Sequence, residues 1–306
     1  MTQPSLPLLS IVVLTYNSSQ YVLDTLESAY RQTYSGPIEL IITDDCSSDD
    51  TVAICREWLK EKQQRFFRVE LITARENTGV SKNINRGCRS ARGEWIKPIA
   101  GDDILIDQCL EILYDQAQLI GDQCSFIIAP LYIFTETEEL SSGSNLNIRW
   151  DLESNVSMDM DYLFNHPLLI TLGPSFFLSK KMMEEIDYYD EIFINFEDAP
   201  LVRKAISQGY HVNTIDKPVA FYRCHSQSIT RTSLNHLKTY RYIIDMYHYY
   251  LRPKFSLARR WDMFLKLLPI YIYTWMGREQ SIYASLAFRL NRYFQISYYK
   301  NILKNK

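Results

Sequence analysis

The chain has 306 residues, 46% hydrophobic and 23% charged, with a formal net charge of −3. That balance belongs to a globular protein with room for a full core, and it excludes a disordered or low-complexity chain. The total hides an asymmetry: residues 238–306 hold 13 Lys and Arg against 3 Asp and Glu, whereas the other 237 residues hold 20 against 33.

In chain order, "LLSIVVLTYN" reads as a buried strand and "YVLDTLESAYRQ" as the helix after it. "IELIITDD" is a second strand, followed by a helix in "DDTVAICREWLKEKQQ" with Asp49 and Asp50 as candidate caps. "VELIT" is a third strand, "NTGVSKNINRGCRSARG" a loop and helix, and "EWIKPIA" a fourth strand. A helix around "IDQCLEILYDQAQ" and a strand in "CSFIIAP" follow. Continuous Ile/Val/Leu strands alternating with amphipathic helices predict an α/β fold, a mostly parallel sheet sandwiched by helices. Beyond it, polar residues 135–160 read as a flexible substrate loop. "PSFFLSKKMMEEI" reads as strand then helix, and "FINFEDAPLVRKAISQGY" as a helix with Glu197 and Asp198 at its start. "HVNTIDKPVAFYRCHSQSIT" reads as a strand pair ending in a loop.

Parallel sheets bind ligands at the carboxyl ends of their strands. Thr15, Tyr16 and Asn17 follow the first strand, Asp44 and Asp45 the second, and Gly101, Asp102 and Asp103 the fourth. Three polar clusters are thereby expected along one edge. The ten glycines include neither GxGxxG nor Walker spacing, so dinucleotide and P-loop sites lack their phosphate cradle. Without such a cradle, adjacent carboxylates can hold a diphosphate through Mn²⁺ or Mg²⁺, hard cations shared between carboxylate and phosphate oxygens. Asp102 and Asp103 suit that role.

The segments "SIVVLTYN", "IITDDCSSDDT", "ENTGVSKNINRG", "GDD" and "FED" occur in an order and spacing that resemble the family 2 glycosyltransferases of GT-A (Rossmann-like) fold. The resemblance covers roughly residues 8–230 and is strongest to bacterial enzymes that build O-antigen or capsule repeat units. It implies inverting transfer of a sugar from a nucleotide sugar, usually UDP-linked, to a hydroxyl of a lipid-linked (polyprenyl diphosphate) saccharide. It implies that Thr15, Tyr16, Asn17, Asp44 and Asp45 hold base and ribose, that Asp102 and Asp103 form the metal-binding DxD-type element, and that Asp198, beside Glu197, is the general base. Two positions depart from the pattern. Ala100 stands where a longer Asp-x-Asp-Asp motif begins, and Cys46 where the "DDGS" turn has Gly.

Blander roles stand beside these. Asn77 and Lys82 are grouped with the nucleotide-sugar contacts, but a plain turn and a solvated helix face would also explain them. His225 is a third candidate metal ligand, or a hydrogen-bonded loop residue. Glu197 and Asp198 would serve equally as helix N-terminal charges. A silent GT-A-like scaffold and a sugar nucleotidyltransferase are the competing functions; the latter wants a Gly- and basic-rich loop that "LTYNSSQY" lacks.

The expected domains are residues 1–235, with a nucleotide-sugar part 8–130 and an acceptor part 131–235, and a helical extension 236–306. The extension carries 17 of the 41 aromatics from Lys238 onward. It admits nucleic-acid binding, plain packing on the body, or an interfacial helix set in "RRWDMFLKLLPIYIYTWMGR". No nucleic-acid motif is visible and the body is acidic, so the interfacial reading is preferred. Six cysteines without a CxxC pair predict reduced thiols and no zinc site. The start carries no leader pattern, and no run approaches the roughly 20 apolar residues of a spanning helix. The expected location is cytoplasmic, peripheral at the inner face of the cell membrane.

Overall fold

The computed structural model describes residues 6–135, 147–149, 153–167, 169, 171–193, 196–225 and 236–276. They divide between two compact units, residues 1–158 with 171–228, and residues 159–170 with 229–306.

The first unit opens with β1 (Leu9–Thr15), α1 (Val22–Tyr30), β2 (Ile38–Asp44), α2 (Thr51–Lys62), β3 (Arg68–Thr73), α3 (Val80–Ser90) and β4 (Trp95–Ala100). These four strands are parallel and lie in the order β3-β2-β1-β4. Strands β1 and β2 are apolar almost throughout because both faces are covered. Leu9, Ile11 and Val13 join Val22, Leu26 and Trp58 in one cluster, while α3 packs on the strands as well. Asp49 caps α2, its Oδ1 accepting from the Thr51 N–H at 3.0 Å. Asp50 makes no cap bond.

The chain continues through β5 (Ile104–Leu105), α4 (Cys109–Ile120), β6 (Phe126–Ile128), β7 (Leu131–Thr135), β8 (Asn147–Arg149), β9 (Ser157–Met158) and, in the second unit, α5 (Met160–Asn165). Then come β10 (Phe176–Ser179), α6 (Lys180–Glu185), α7 (Asp198–Ser207), β11 (Val212–Thr214) and β12 (Ala220–Cys224). The main sheet has eight strands, β3-β2-β1-β4-β10-β6-β11-β9, and a smaller one runs β5-β12-β7-β8.

Two expectations need correction. The strands of "HVNTIDKPVAFYRCHSQSIT" do not pair with each other: β11 joins β6 and β9, whereas β12 joins β5 and β7. The polar stretch expected as loop contains β8, antiparallel to β7. Residues 136–146 and 150–152 of that stretch lie outside the described residues.

The second unit holds α5, α8 (His236–Met246) and α9 (Leu257–Met276), with a π-helical turn at Tyr247–Leu251 between the last two. Its core gathers Phe164, Met246, Tyr247, Tyr250, Phe255, Met263 and Leu267. Phe164 meets Phe255 edge-on, and the Lys266 ammonium lies 3.9 Å from the Phe164 ring centre. The aromatics of this region are therefore partly core. Another set is exposed on α9: Leu257 (80%), Trp261, Phe264 and Trp275 (84%). Positions 257, 261, 264 and 275 share one helical face, since eighteen residues make about five turns. No helix among the described residues is long and apolar enough to cross a membrane.

Candidate active site

Strand register sets the site's first half. Thr15 lies opposite Asp44, and Leu14 opposite Ala100, so the ends of β1, β2 and β4 are level. The chain turns sharply there. Asn17 has φ 49° and Cys46 φ 68°, both left-handed, so Cys46 occupies backbone that glycine adopts without cost.

Asp44 and Asp45 are both buried, and their oxygens face the protein. Asp44 accepts from the Thr15 hydroxyl (2.8 Å), the Ser47 N–H (2.9 Å) and the Ser47 hydroxyl (2.5 Å). Asp45 accepts from the Thr78 N–H (2.9 Å) and hydroxyl (2.6 Å), the Gly79 N–H (2.7 Å) and Arg86 Nη2 (3.3 Å). A carboxylate offers about four acceptor positions, so Asp45 is saturated and braces the turn into α3. Asp44 keeps one. Gly79 (φ 87°) gives that turn its shape, and Asn77 Oδ1 accepts its N–H at 3.1 Å. Asn77 is thus a turn residue. Asn17 Oδ1 accepts from the Ser48 N–H at 2.8 Å, while Tyr16 and Lys82 are exposed.

At the end of β4 the two aspartates separate. The Asp102 carboxylate reaches His225 Nε2, 3.0 Å from its Oδ2. The Asp103 carboxylate turns inward, where Oδ1 accepts the Arg223 N–H at 2.9 Å and Oδ2 has no partner. Burial, and then the Asp102 charge, push Asp103 well above the usual carboxylate range. Arg223 ties the group together, its Nε donating to the Asp102 carbonyl (2.8 Å) and Nη2 to Asp24 (2.8 Å). Tyr21 lies against both, 4.7 Å from the Arg223 guanidinium and 4.9 Å from the His225 ring. The donor set a cation would meet is therefore Asp102 with His225, a hard oxygen that suits Mn²⁺ or Mg²⁺ and an imidazole nitrogen that favours Mn²⁺ of the two. Among the described residues no third His, Cys, Asp or Glu completes a cluster, so substrate oxygens and water would supply the other ligands. Asp103 holds β12 through Oδ1.

Glu197 and Asp198 open α7. Asp198 Oδ2 accepts the Gly173 N–H at 2.7 Å. A Cβ on Gly173 would stand 2.9 Å from Asp198 Oδ1, so the absence of a side chain there lets the carboxylate approach. Glu197 Oε2 is buried without a partner. Burial pushes Glu197 up to about 6, and burial with the Glu197 charge pushes Asp198 well above the carboxylate range. A carboxylate with raised proton affinity at a single backbone donor is suited to taking a proton from a hydroxyl.

The short turn Gly173–Ser175 packs against β4 and β12, which carry Asp102 and His225 beyond their ends. That turn joins the two halves of the site. Sequence reasoning missed Tyr21, Asp24, Gly173 and Arg223; only Gly173, a glycine before a proline, left any local signal. Asn85, buried in α3, brackets the Tyr189 backbone from both sides at 2.9 Å and ties the segment before α7 to the donor side.

Comparison with known proteins agrees with this architecture. Residues 10–185 match the family described as Glycosyl transferase family 2. Glycosyltransferase GlyG of Streptococcus pneumoniae is 26% identical over 251 residues, 78% of each chain. Residues 1–349 of S. aureus TarS, solved in complex with UDP-GlcNAc, superpose with a TM-score of 0.64 at 18% identity, covering 92% of this chain and 81% of that one. The chain spans 43% of a longer TarS structure. Mannosyltransferase PcManGT from Pyrobaculum calidifontis, in complex with GDP-Man and Mn²⁺, superposes with a TM-score of 0.59 at 15% identity, over 94% of this chain and 74% of that one. At these identities the structural likenesses concern the fold.

Proposed function

Given that this chain belongs to glycosyl transferase family 2, we propose that it transfers a sugar, with inversion, from a nucleotide sugar to a hydroxyl of a lipid-linked saccharide in surface-polysaccharide assembly. The single observation that carries this reading is the Asp198 carboxylate, opening α7 and held by the Gly173 N–H at 2.7 Å. In a one-step displacement the acceptor hydroxyl attacks the anomeric carbon opposite the departing nucleotide. Asp198 takes the hydroxyl proton onto a carboxylate oxygen, and Glu197 raises its appetite for that proton. Thr15, Tyr16, Asn17 and Asp44 line the donor side, with Asp45 as the brace behind them. Asp102 and His225 would hold Mn²⁺ or Mg²⁺, whose chemistry is to offset the charge of the departing diphosphate. The metal-bound and nucleotide-bound neighbours support that reading.

The experiment starts from a panel of nucleotide sugars screened by calorimetry with and without Mn²⁺. With the donor in hand, Asp198→Asn is expected to lose roughly 10²–10⁴ of the rate while keeping donor affinity. Exhaustive chelation of the wild type is expected to abolish transfer by a different route, through donor affinity. A donor affinity that falls as far as the rate in Asp198→Asn would move this residue out of the acceptor side.

The second unit supplies the location. The exposed stripe Leu257, Trp261, Phe264 and Trp275 lies on a chain segment with a balance of +10 over residues 238–306, the composition of a face that rests on an anionic membrane. Cosedimentation with phosphatidylglycerol vesicles checks it. The full chain should pellet at low salt, and Leu257→Ser with Trp275→Ser should stay in the supernatant. Equal pelleting of both would remove the stripe from the interface.

A further inference from the structure

Lys97 is fully buried in β4, and nothing in the chemistry above uses it. Its position follows from a defect in the sheet. Strand β4 pairs with β1 along its length, but β10 reaches only Trp95 and Ile96 on the other side. From residue 97 onward that side of β4 is a local edge, which explains how Pro98, lacking an N–H, is tolerated in a central strand. The edge leaves a buried carbonyl without a ladder partner, and a buried carbonyl left unpaired forfeits its hydration with nothing in return. Lys97 supplies the missing donor. Its Nζ donates to the Pro98 carbonyl at 3.0 Å and to the Pro174 carbonyl at 2.5 Å.

Pro174 is the middle of the Gly173–Ser175 turn, and Gly173 is the residue whose N–H binds Asp198. We propose that Lys97 is a positioning residue for the reaction: by holding the Pro174 carbonyl, its ammonium fixes the turn from which the Gly173 N–H aims the Asp198 carboxylate. A charged donor suits this task better than a neutral one, since charge-assisted hydrogen bonds are shorter and about twice as strong. Burial lowers Lys97 to about 8, against which the Cys109 thiol on α4 and Asp103 after β4 favour its charged form. Among the described residues, the titratable groups that face Asp198 are Glu197 on its own segment and the Tyr189 hydroxyl.

The inference rests on Asp198 as the base, and a test that needs no substrate separates the two. The chain has ten glycines, so selective [¹⁵N]glycine labelling gives a sparse amide spectrum. Loss of one resonance in Gly173→Ala assigns Gly173. In the wild type that proton should lie downfield and titrate with Asp198, and the titration should vanish in Asp198→Asn. In Lys97→Met the Gly173 resonance should move upfield, with its titration at higher pH, because a carboxylate that loses a donor holds its proton more tightly. Turnover should fall about 10–10²-fold with donor KM unchanged, the signature of a misplaced base. Should Lys97→Met fail to fold, Lys97→Gln keeps one neutral donor and should move the resonance the same way by less. An unmoved Gly173 resonance in the folded variant overturns the proposal. Full turnover in Asp198→Asn overturns the base assignment instead, while the resonance still reports whether Lys97 governs the turn.

Discussion

Of the three acidic doublets at the site, Asp44-Asp45 and Glu197-Asp198 have opposite surroundings. Asp44 and Asp45 together accept seven hydrogen bonds, from Thr15, Ser47, Thr78, Gly79 and Arg86. Among the described residues, the Gly173 N–H is the one neighbour from another segment that donates to the Glu197 and Asp198 side chains, and one oxygen of Glu197 is buried with no partner. The physics differs accordingly. A carboxylate whose acceptor positions are filled by donors from neighbouring turns acts as a strut, holding those turns at fixed distance. A carboxylate short of donors is held in a state it would leave by taking a proton, which is what a base requires. Carboxylates therefore build at one place, and at the other they are left suited to the proposed proton transfer.

The largest effect that would break this contrast is on stability at the strut. Asp45→Ala leaves the Thr78 N–H without its acceptor, the Gly79 N–H with Asn77 Oδ1 alone, and the Arg86 guanidinium without its charge partner. It should cost about 3–5 kcal/mol in urea unfolding, the range for breaking a buried pair from one side. Asp198→Ala, at a half-buried residue held by one backbone N–H, should cost far less. Comparable losses from both would mean that the second doublet is structural too.

A smaller effect, opposite in sign, sharpens the contrast. Burial raises Glu197 to about 6 from an ordinary 4.5. A raised carboxyl favours folding below its unfolded value, and that advantage is lost as pH rises through the folded value. The ionised Glu197 is thus a cost above pH 6, and Glu197→Gln removes it. At pH 8 the variant should be more stable by about 1–2 kcal/mol, with the difference closing as pH falls from 6 toward 4.5. A gain that is the same at every pH would be packing and not charge.

The smallest effect lies inside the strut's own turn. Cys46 holds φ 68°, so Cys46→Gly should gain about 1 kcal/mol or less, the left-handed strain relieved minus the added freedom of the unfolded chain. Thermal melts at one pH suffice. A loss on this substitution would show that the thiol's packing outweighs its backbone strain.

The alternation of apolar strands and amphipathic helices was enough to establish a parallel sheet, because a strand buried on both faces has few other residues it can use. It also located the polar clusters at the strand ends, since side chains that interrupt an Ile/Val/Leu run at its carboxyl end have one edge to occupy. Residue type could not say which way each carboxylate turns. Asp102 and Asp103 are adjacent, yet one meets His225 and the other the Arg223 backbone 120 positions away. Nor could residue type say that Thr78, Gly79 and Arg86 close around Asp45. The aromatics near the carboxyl end divide between a core and an exposed face of α9, a division that periodicity suggests but only packing decides. Lys97 in "WIKPIA" reads as an ordinary strand residue, and only the short reach of β10 makes it the donor that a sheet edge lacks. Local patterning is written in nearest neighbours along the chain. The fate of a buried charge depends on which donors the fold carries to it from elsewhere.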